Sequence, residues 1–313
     1  MNRFNALIIC LLFYVSVIAQ DAASINKGVL STIEELKDFI SLPNDALNPA
    51  DMDKNLVWLT DKFSERGFST RLIATSGIPL FFAELKTKKN EAPTLLIYMH
   101  FDGQSIDRSK WNQADPYQVV LKEKNGDQWK ELDWNRLGET LNPEWRLFGR
   151  STSDDKGPIV MLLNAIDMLK ADKKKIPFHI KVVLDGEEEK SSKPLPQAVK
   201  DNRDLLKADF LMINDGPVHP SNQPTLVYGC RGITSLSVTT FGPISPQHSG
   251  HFGNYAPNPG FRLFHLLGSM KDENGKVLIE GYYDGIELDE MTQQVLSSVP
   301  DDITSLHERL AIH

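Results

Sequence analysis

The chain has 313 residues, a formal net charge of −8, 41% hydrophobic residues and 24% charged residues. This composition is that of a globular protein with room for about two domains, and it excludes disordered and collagen-like classes. A nucleic-acid-binding surface is not expected, because phosphate contacts need clustered Lys and Arg and the run Lys173–Lys175 is too short to supply them.

The first residues predict a signal peptide, residues 1–19. Arg3 precedes an apolar run that ends in small residues, and a retained membrane anchor is the alternative. We therefore expect an exported protein, periplasmic or secreted, with no membrane association after cleavage. Cys10 leaves with this segment, so Cys230 alone remains; it is expected to be a buried small hydrophobe.

Two helices are predicted over residues 24–66. Ser31 or Thr32 is expected to cap the first helix, and Pro43 to stop it. The second carries apolar residues at helical spacing and ends at Gly67.

Strands and helices then alternate, which predicts an α/β fold with a mostly parallel sheet. The predicted strands are residues 70–74, 80–85, 94–100, 178–184 and 209–213, and the helices are residues 159–170 and a short one around Leu205-Leu206. The polar residues 103–145 are predicted to be a long ordered surface loop. From residue 226 the pattern changes to a strand over residues 231–241 and a helix over 261–270. We therefore predict a catalytic domain (20–225) and a smaller, partial α+β lid or dimerisation domain (226–313).

Ionisable side chains stand where predicted strands end. His100, Glu188, Glu189 and Asp215 are such residues, and ligands of α/β sheets bind at the carboxyl ends of strands. Each motif alone has an ordinary explanation. His100 and Asp102 can be a metal ligand with its orienting carboxylate or a plain strand end, and acidic triplets are usually solvated.

Two further motifs stay open on the residues alone. Asp154-Asp155 can bind metal or cap the following helix. His248 lies in a loop rich in glycine and histidine, as in a site that closes over a ligand. No serine-hydrolase elbow, HExxH helix or phosphate loop is present.

Together the motifs resemble those of the co-catalytic zinc peptidases, the family of carnosinase-type dipeptidases, aminoacylases, acetylornithine deacetylase and carboxypeptidase G. The resemblance is to the dipeptidase-like branch. It rests on the following motifs in family order: His100-x-Asp102, Trp111 through Asp115-Pro116, Gly149-Arg150 through Asp154-Asp155-Lys156-Gly157-Pro158, Gly186-x-Glu188-Glu189, Asp215, Arg231-Gly232, His248-Ser249-Gly250 and Asn258-Pro259.

This resemblance implies a site with two zinc ions, with manganese or cobalt as alternatives. It implies that His100, Asp154 and Asp215 hold one ion and that Asp154 and Glu189 hold the second. Asp102 would orient His100, and Glu188 would be the general base. His248 would reach the site of the other subunit, which implies a homodimer through the lid domain.

The implied activity is hydrolysis of the amide bond of dipeptides or short peptides. The alternatives are an N-acyl-amino-acid deacylase and an inactive relative that acts as a binding or dimerisation module. Ser151 stands where the family usually has Gly, and Lys190 where it has a small residue. The family's late histidine ligand has no counterpart, and His307 and His313 are not assigned to it. From this we expect the sequence to be a fragment of a longer protein, and a naturally shortened relative is the alternative.

Overall fold

The computed structural model describes residues 22–126, 128–216, 218–219, 225–227, 229–230, 232–299 and 302–311. The predicted signal peptide, Arg231 and His313 lie outside these residues. Within the described ranges, no helix has both the length and the apolar character needed to cross a membrane. The chain divides between residues 217 and 218 into two compact units. The assignment of catalytic and lid roles to the predicted domains stays a prediction.

The first unit is built on a five-stranded sheet of order β1-β2-β7-β3-β8. Strand β3 runs parallel to both β7 and β8, whereas β2 runs antiparallel to β1 and β7. Four of the five strands therefore point the same way, which confirms the predicted mostly parallel α/β fold. The strands are β1 (Ser69–Ile73), β2 (Leu80–Leu85), β3 (Thr94–His100), β7 (His179–Asp185) and β8 (Phe210–Ile213).

Alternating side chains bury both faces of this sheet. On one face, Phe81 and Val182 belong to a large core with the helices α1, α2 and α4. On the other face, Phe82 and Val183 belong to a smaller core with α5 and α6. The helices are α1 (Ala22–Ile40), α2 (Pro49–Glu65), α4 (Lys156–Ala171), α5 (Leu195–Asp201) and α6 (Arg203–Leu206). The result is a three-layer arrangement that leaves the strand ends free for a site.

The predicted helix caps at Ser31 and Thr32 are wrong. Both residues lie inside α1, and their hydroxyl groups donate to the carbonyl of Gly28 at 2.8 and 2.7 Å. Serine and threonine can return a hydrogen bond to the preceding turn as readily as they cap a helix. Sequence alone did not separate the two uses.

Residues 103–145 contain regular structure that the predicted surface loop lacked. A second antiparallel sheet of order β5-β4-β6 forms here, and β4 and β5 are a hairpin that begins at the pair Asn125 and Gln128. Gly126 turns the chain with a φ of 61°. Gly126-Asp127 between two strand-like runs is a hairpin signal that the polar composition obscured. The elements are β4 (Val120–Asn125), β5 (Gln128–Leu132), α3 (Arg136–Glu139) and β6 (Arg146–Phe148).

The second unit contains the helices α7 (Ser249–Phe252), α8 (Pro259–Met270), α9 (Glu290–Ser297) and α10 (Ile303–Leu310). The strand predicted over residues 231–241 is wrong for the described residues 232–241, which form no strand. A strand needs a neighbour for its backbone groups, and the pairing described in this unit is one isolated bridge, Lys271 with Val277. The predicted burial of Cys230 is also wrong, because its side chain is exposed.

An ion-pair cluster ties the three helices of the larger core. The Arg66 guanidinium, just after α2, binds Glu35 of α1 at 2.8 and 3.1 Å and Asp167 of α4 at 2.8 Å. The side chains of Arg66 and Glu35 are only 11% and 15% exposed. A charge left unpaired at this depth keeps its desolvation penalty.

We expect Arg66→Ala to lower the free energy of unfolding by about 1–3 kcal/mol, since it strands the half-buried Glu35 carboxylate. Lys54→Ala is the matched control, because it removes the more exposed pair with Asp51 within α2 and should cost less than about 0.5 kcal/mol. Urea denaturation measures both. Equal losses would contradict the structural role of Arg66.

Candidate metal centre

The carboxyl ends of β3, β7 and β8 meet at one edge of the main sheet. His100 is the last residue of β3 and pairs with Asp185 at the end of β7. Glu188 follows β7 in a short 3-10 turn, and Asp215 follows β8. Asp154 enters the same edge from the segment before α4. Parallel pairing therefore gathers side chains that follow three strands, and Asp154 adds a fourth stretch of sequence.

These side chains lie close to one another. His100 Nε2 is 2.7 Å from Asp154 Oδ1 and 3.8 Å from Asp215 Oδ2. One nitrogen of His100 and one oxygen each of Glu188 and Asp215 all lie within 4.8 Å of one another. His100 is buried while the Asp154 side chain is 62% exposed, so the cluster opens to solvent on the Asp154 side.

Asp102 lies beneath this cluster and is fully buried. Its Oδ1 accepts the backbone N–H of Glu188 and its Oδ2 that of Glu189, both at 3.1 Å. Oδ1 is also 3.3 Å from His100 Nδ1. The backbone carbonyl of Asp102 is 3.2 Å from the same Nδ1. Asp102 therefore holds both the imidazole at the end of β3 and, through its carboxylate, the acidic turn after β7.

The three adjacent glutamates point to three different places. Glu187 accepts the backbone N–H of Ile78 at 2.9 Å, in the turn between β1 and β2. Glu188 faces His100. Glu189 accepts a hydrogen bond from the Gln104 side chain at 3.1 Å, and its carboxylate is not in the cluster of His100, Glu188 and Asp215.

Asp155 lies at the candidate site, and the sequence marked it only as one half of the Asp154-Asp155 pair, without a role of its own. Its side chain does not cap α4; instead Oδ2 accepts the backbone N–H of His100 at 3.1 Å. Oδ1 is buried with no hydrogen-bond partner among the described residues. Burial raises the pKa of Asp155 to about 8. The helix-capping alternative is thus wrong for this residue, and only its adjacency to Asp154 signalled its place.

The segment that carries both aspartates is anchored from behind. Lys156 is completely buried, and its ammonium group donates to the carbonyls of Phe39 and Leu42 at 2.8 and 2.7 Å. Burial lowers the pKa of Lys156 well below its ordinary value. The contact holds the start of α4 to the end of α1, and so fixes the depth at which the two aspartates reach the sheet edge.

The electrostatics of the site fit a divalent cation. Burial alone would lower the pKa of His100, but the hydrogen bond with Asp102 and the charges of Asp155 and Asp215 raise it to about 10. Burial also raises the pKa of Glu188 and of Asp215. Crowded carboxylates and an imidazole that attracts a proton both indicate a place that favours positive charge. Mixed imidazole and carboxylate donors suit zinc.

The remaining candidate, His248, belongs to the second unit. It precedes α7, its Nδ1 accepts the backbone N–H of Gly250 at 3.1 Å, and it is exposed. Its ring lies beside His251, with the two Nδ1 atoms 3.2 Å apart. Its expected action on a neighbouring subunit's site stays a prediction.

Residues 96–308 match the family model of peptidase family M20/M25/M40. The chain belongs to this family. The match covers the whole cluster from His100 to Asp215, and it confirms the family resemblance drawn from the motifs.

Several dipeptidases are similar to this chain in sequence. Beta-Ala-His dipeptidase of Mus musculus is 27% identical over 270 residues, which cover 80% of this chain and 50% of that protein. Beta-Ala-His dipeptidase of Homo sapiens is 30% identical over 210 residues, which cover 66% of this chain and 37% of that protein. Cys-Gly metallodipeptidase DUG1 of Saccharomyces cerevisiae is 29% identical over 190 residues, which cover 60% of this chain and 36% of that protein. The chain spans about half, or less, of the length of these relatives.

Solved structures share the fold. An M20 family metallo-carboxypeptidase from Sulfolobus solfataricus superposes with a TM-score of 0.64 at 25% identity, over 89% of this chain and 59% of that one. Human carnosine dipeptidase 1 superposes with a TM-score of 0.59 at 22% identity, over 90% and 59%. The second likeness concerns the fold alone.

We expect Asp102→Asn to lower the free energy of unfolding by about 1–3 kcal/mol, because one acceptor oxygen becomes an NH2 group that faces a backbone N–H. Asp53→Asn, on the exposed part of α2, should change it by less than about 0.5 kcal/mol. Both are compared by urea denaturation in the presence of a metal chelator, so that metal binding does not contribute. If Asp102→Asn left the free energy of unfolding unchanged, the buried carboxylate would not hold the acidic turn.

Proposed function

We propose that this edge of the sheet binds two zinc ions and hydrolyses the amide bond of dipeptides or short peptides at a free carboxyl end. The observation that carries the proposal is the convergence of His100, Asp154, Glu188 and Asp215 above the buried carboxylate of Asp102. Few structural roles need so many ionisable groups at one strand edge, and such clusters mark functional sites.

Each side chain has a proposed place around the metal. His100, Asp154 and Asp215 would hold the first ion, and Asp154 would be shared with a second ion that Glu189 also holds. For the second ion, the Glu189 carboxylate would exchange its Gln104 partner for the metal. Bound zinc would supply a Lewis acid, which polarises a carbonyl and makes water a stronger acid. Asp102 would keep His100 in the tautomer that presents Nε2.

Glu188 is proposed as the general base. It would take a proton from the attacking water as the new C–O bond forms, and would pass that proton to the amide nitrogen as the C–N bond breaks. Two features support this: its side chain faces His100 and Asp215, and burial raises its pKa, which helps a carboxylate to hold a proton between the two steps. Its backbone N–H is fixed by Asp102.

The names of the relatives favour dipeptides over acylated amino acids. The matched proteins reported above are dipeptidases by name. A panel of dipeptides and N-acetyl amino acids, tested on the same zinc-loaded protein, distinguishes the proposed activity from the deacylase alternative. Faster hydrolysis of the acetylated compounds would favour the deacylase.

Export and homodimerisation are also proposed. Export rests on the apolar run before residue 20. Association through the second unit is supported by its exposed apolar side chains, such as Phe261 and Phe264, which are 64% and 68% exposed. Such surface is commonly covered by another protein surface.

We expect His100→Ala to abolish tight zinc binding, because it removes the one nitrogen donor of the cluster. Equilibrium dialysis followed by elemental analysis counts the ions per chain. His179→Ala is a control, since this histidine is at the opposite end of the same sheet, where its ring nitrogens contact Thr87 and Asn90. Unchanged zinc content in His100→Ala would contradict the proposed centre.

We expect Glu188→Gln to keep its zinc while turnover of a dipeptide falls about 10²–10⁴-fold, the range for loss of a general base. Glu187→Gln is the matched control, because this neighbour binds the turn before β2 instead of the cluster; it should keep most activity. If Glu188→Gln lost zinc together with activity, Glu188 would be a ligand and not the base. Unchanged turnover would contradict the mechanism altogether.

A further inference from the structure

Asn44 lies in the connection between α1 and α2 and is fully buried. Its side-chain Nδ2 donates to the carbonyl of Phe101 at 2.8 Å. Its own backbone carbonyl accepts the N–H of Gly103 at 2.8 Å. These two hydrogen bonds hold the residues immediately before and immediately after Asp102, so they fix the backbone on both sides of that carboxylate.

The same side chain reaches the second segment of the site. Asn44 Nδ2 also donates to Ser151 Oγ at 3.0 Å. Ser151 is buried and has a φ of 63°, the left-handed conformation that favours glycine. The departure from the family's usual glycine is therefore matched by a hydroxyl group that Asn44 binds. Ser151 lies three residues before Asp154, so Asn44 joins the Asp102 segment to the Asp154 segment.

The neighbouring residue, Asp45, contacts Lys190, the second position at which the chain differs from the family pattern. Lys190 Nζ is 3.5 Å from Asp45 Oδ1 and donates to Ser105 Oγ at 3.2 Å. The positive charge beside Glu189 is thus directed to Asp45 and Ser105. Asn44 and Asp45, two consecutive residues between α1 and α2, therefore contact Ser151 and Lys190, the two positions that differ from the family pattern.

We propose that Asn44 and Asp45 form a positioning clamp, which sets the spacing between the segments that carry Asp102, Asp154 and Glu189. The clamp lies outside the part of the chain that matches the family model, residues 96–308. The proposal rests on the proposed function, because it concerns how the metal ligands are held. Asn44 is a positioning residue and touches no proposed ligand side chain in the described contacts.

The physical reason is that metal affinity depends on ligand geometry fixed by the surrounding hydrogen bonds. Asn44→Ala would leave the Phe101 carbonyl and the Ser151 hydroxyl without this donor, and both segments could move apart. Loss of such supporting contacts costs about 10–100-fold in metal affinity. The effect of Asp45→Asn should be smaller, since the pair with Lys190 is partly exposed.

The test is Zn²⁺ affinity of the full 313-residue chain, measured by competition with a chromophoric chelator. We expect Asn44→Ala to bind Zn²⁺ about 10–100-fold more weakly. Ser151→Ala, which removes one hydroxyl and keeps Cβ, should weaken binding about two- to tenfold. Ser151→Gly combined with Asn44→Ala should regain part of the loss, because it removes the stranded hydroxyl and suits the left-handed backbone.

Asn55→Ala is the matched control. Asn55 is also fully buried, and its side chain donates to the carbonyls of Pro43 and Asp51 at 2.8 Å. It supports the same connection without contacting a site segment. It should lower thermal stability while Zn²⁺ affinity stays within about twofold of wild type. An equal loss of affinity in Asn55→Ala, or wild-type affinity in a folded Asn44→Ala, would overturn the clamp.

Hydrogen exchange separates this proposal from the proposed function. In the metal-free chain, Asn44→Ala should speed amide exchange in both residues 101–105 and residues 151–157, relative to Asn55→Ala. If wild type bound no Zn²⁺, the metal centre would be contradicted, and faster exchange in both segments would still support the clamp as a joint between them. Unchanged exchange in either segment would overturn the clamp whatever the metal result.

Discussion

The structure depends on one buried carboxylate. Asp102 accepts the backbone N–H groups of Glu188 and Glu189 and lies 3.3 Å from His100 Nδ1. A buried carboxylate is tolerated only when such donors replace the water it has lost. Because its partners come from β3 and from the turn after β7, this requirement fixes two strand ends to each other. The geometry of the proposed metal ligands follows from that connection.

The rest of the first unit holds this connection in place. Three helices pack on one face of the sheet and two on the other, so the site lies at the strand ends instead of on a face. Lys156 then ties the aspartate segment to the end of α1, while Asn44 ties it to the backbone around Asp102. Four ionisable side chains can share a small volume because their backbones are held separately.

Much of this was predictable from the sequence where the signal was local. The apolar run before His100 predicted β3 at its observed bounds, and the positions of the ionisable residues after strands predicted that these side chains would gather at one edge of the sheet. Predictions failed where partners decide the outcome. Within the part of the chain that the structure describes, the alternating residues 232–241 pair with no strand. The hydroxyl groups of Ser31 and Thr32 donate to a carbonyl within their own helix. Asn44 and Asp155 act through backbone groups of residues distant in sequence, which no local pattern encodes.

Crystallography tests the proposed metal centre most directly. Anomalous diffraction at the zinc edge, from crystals grown with Zn²⁺, locates the ions against the protein atoms. We predict an ion bound to His100 Nε2 and to carboxylate oxygens of Asp154 and Asp215, with a second ion beside Asp154 and Glu189. Anomalous peaks only at other residues, with this edge of the sheet empty, would contradict it.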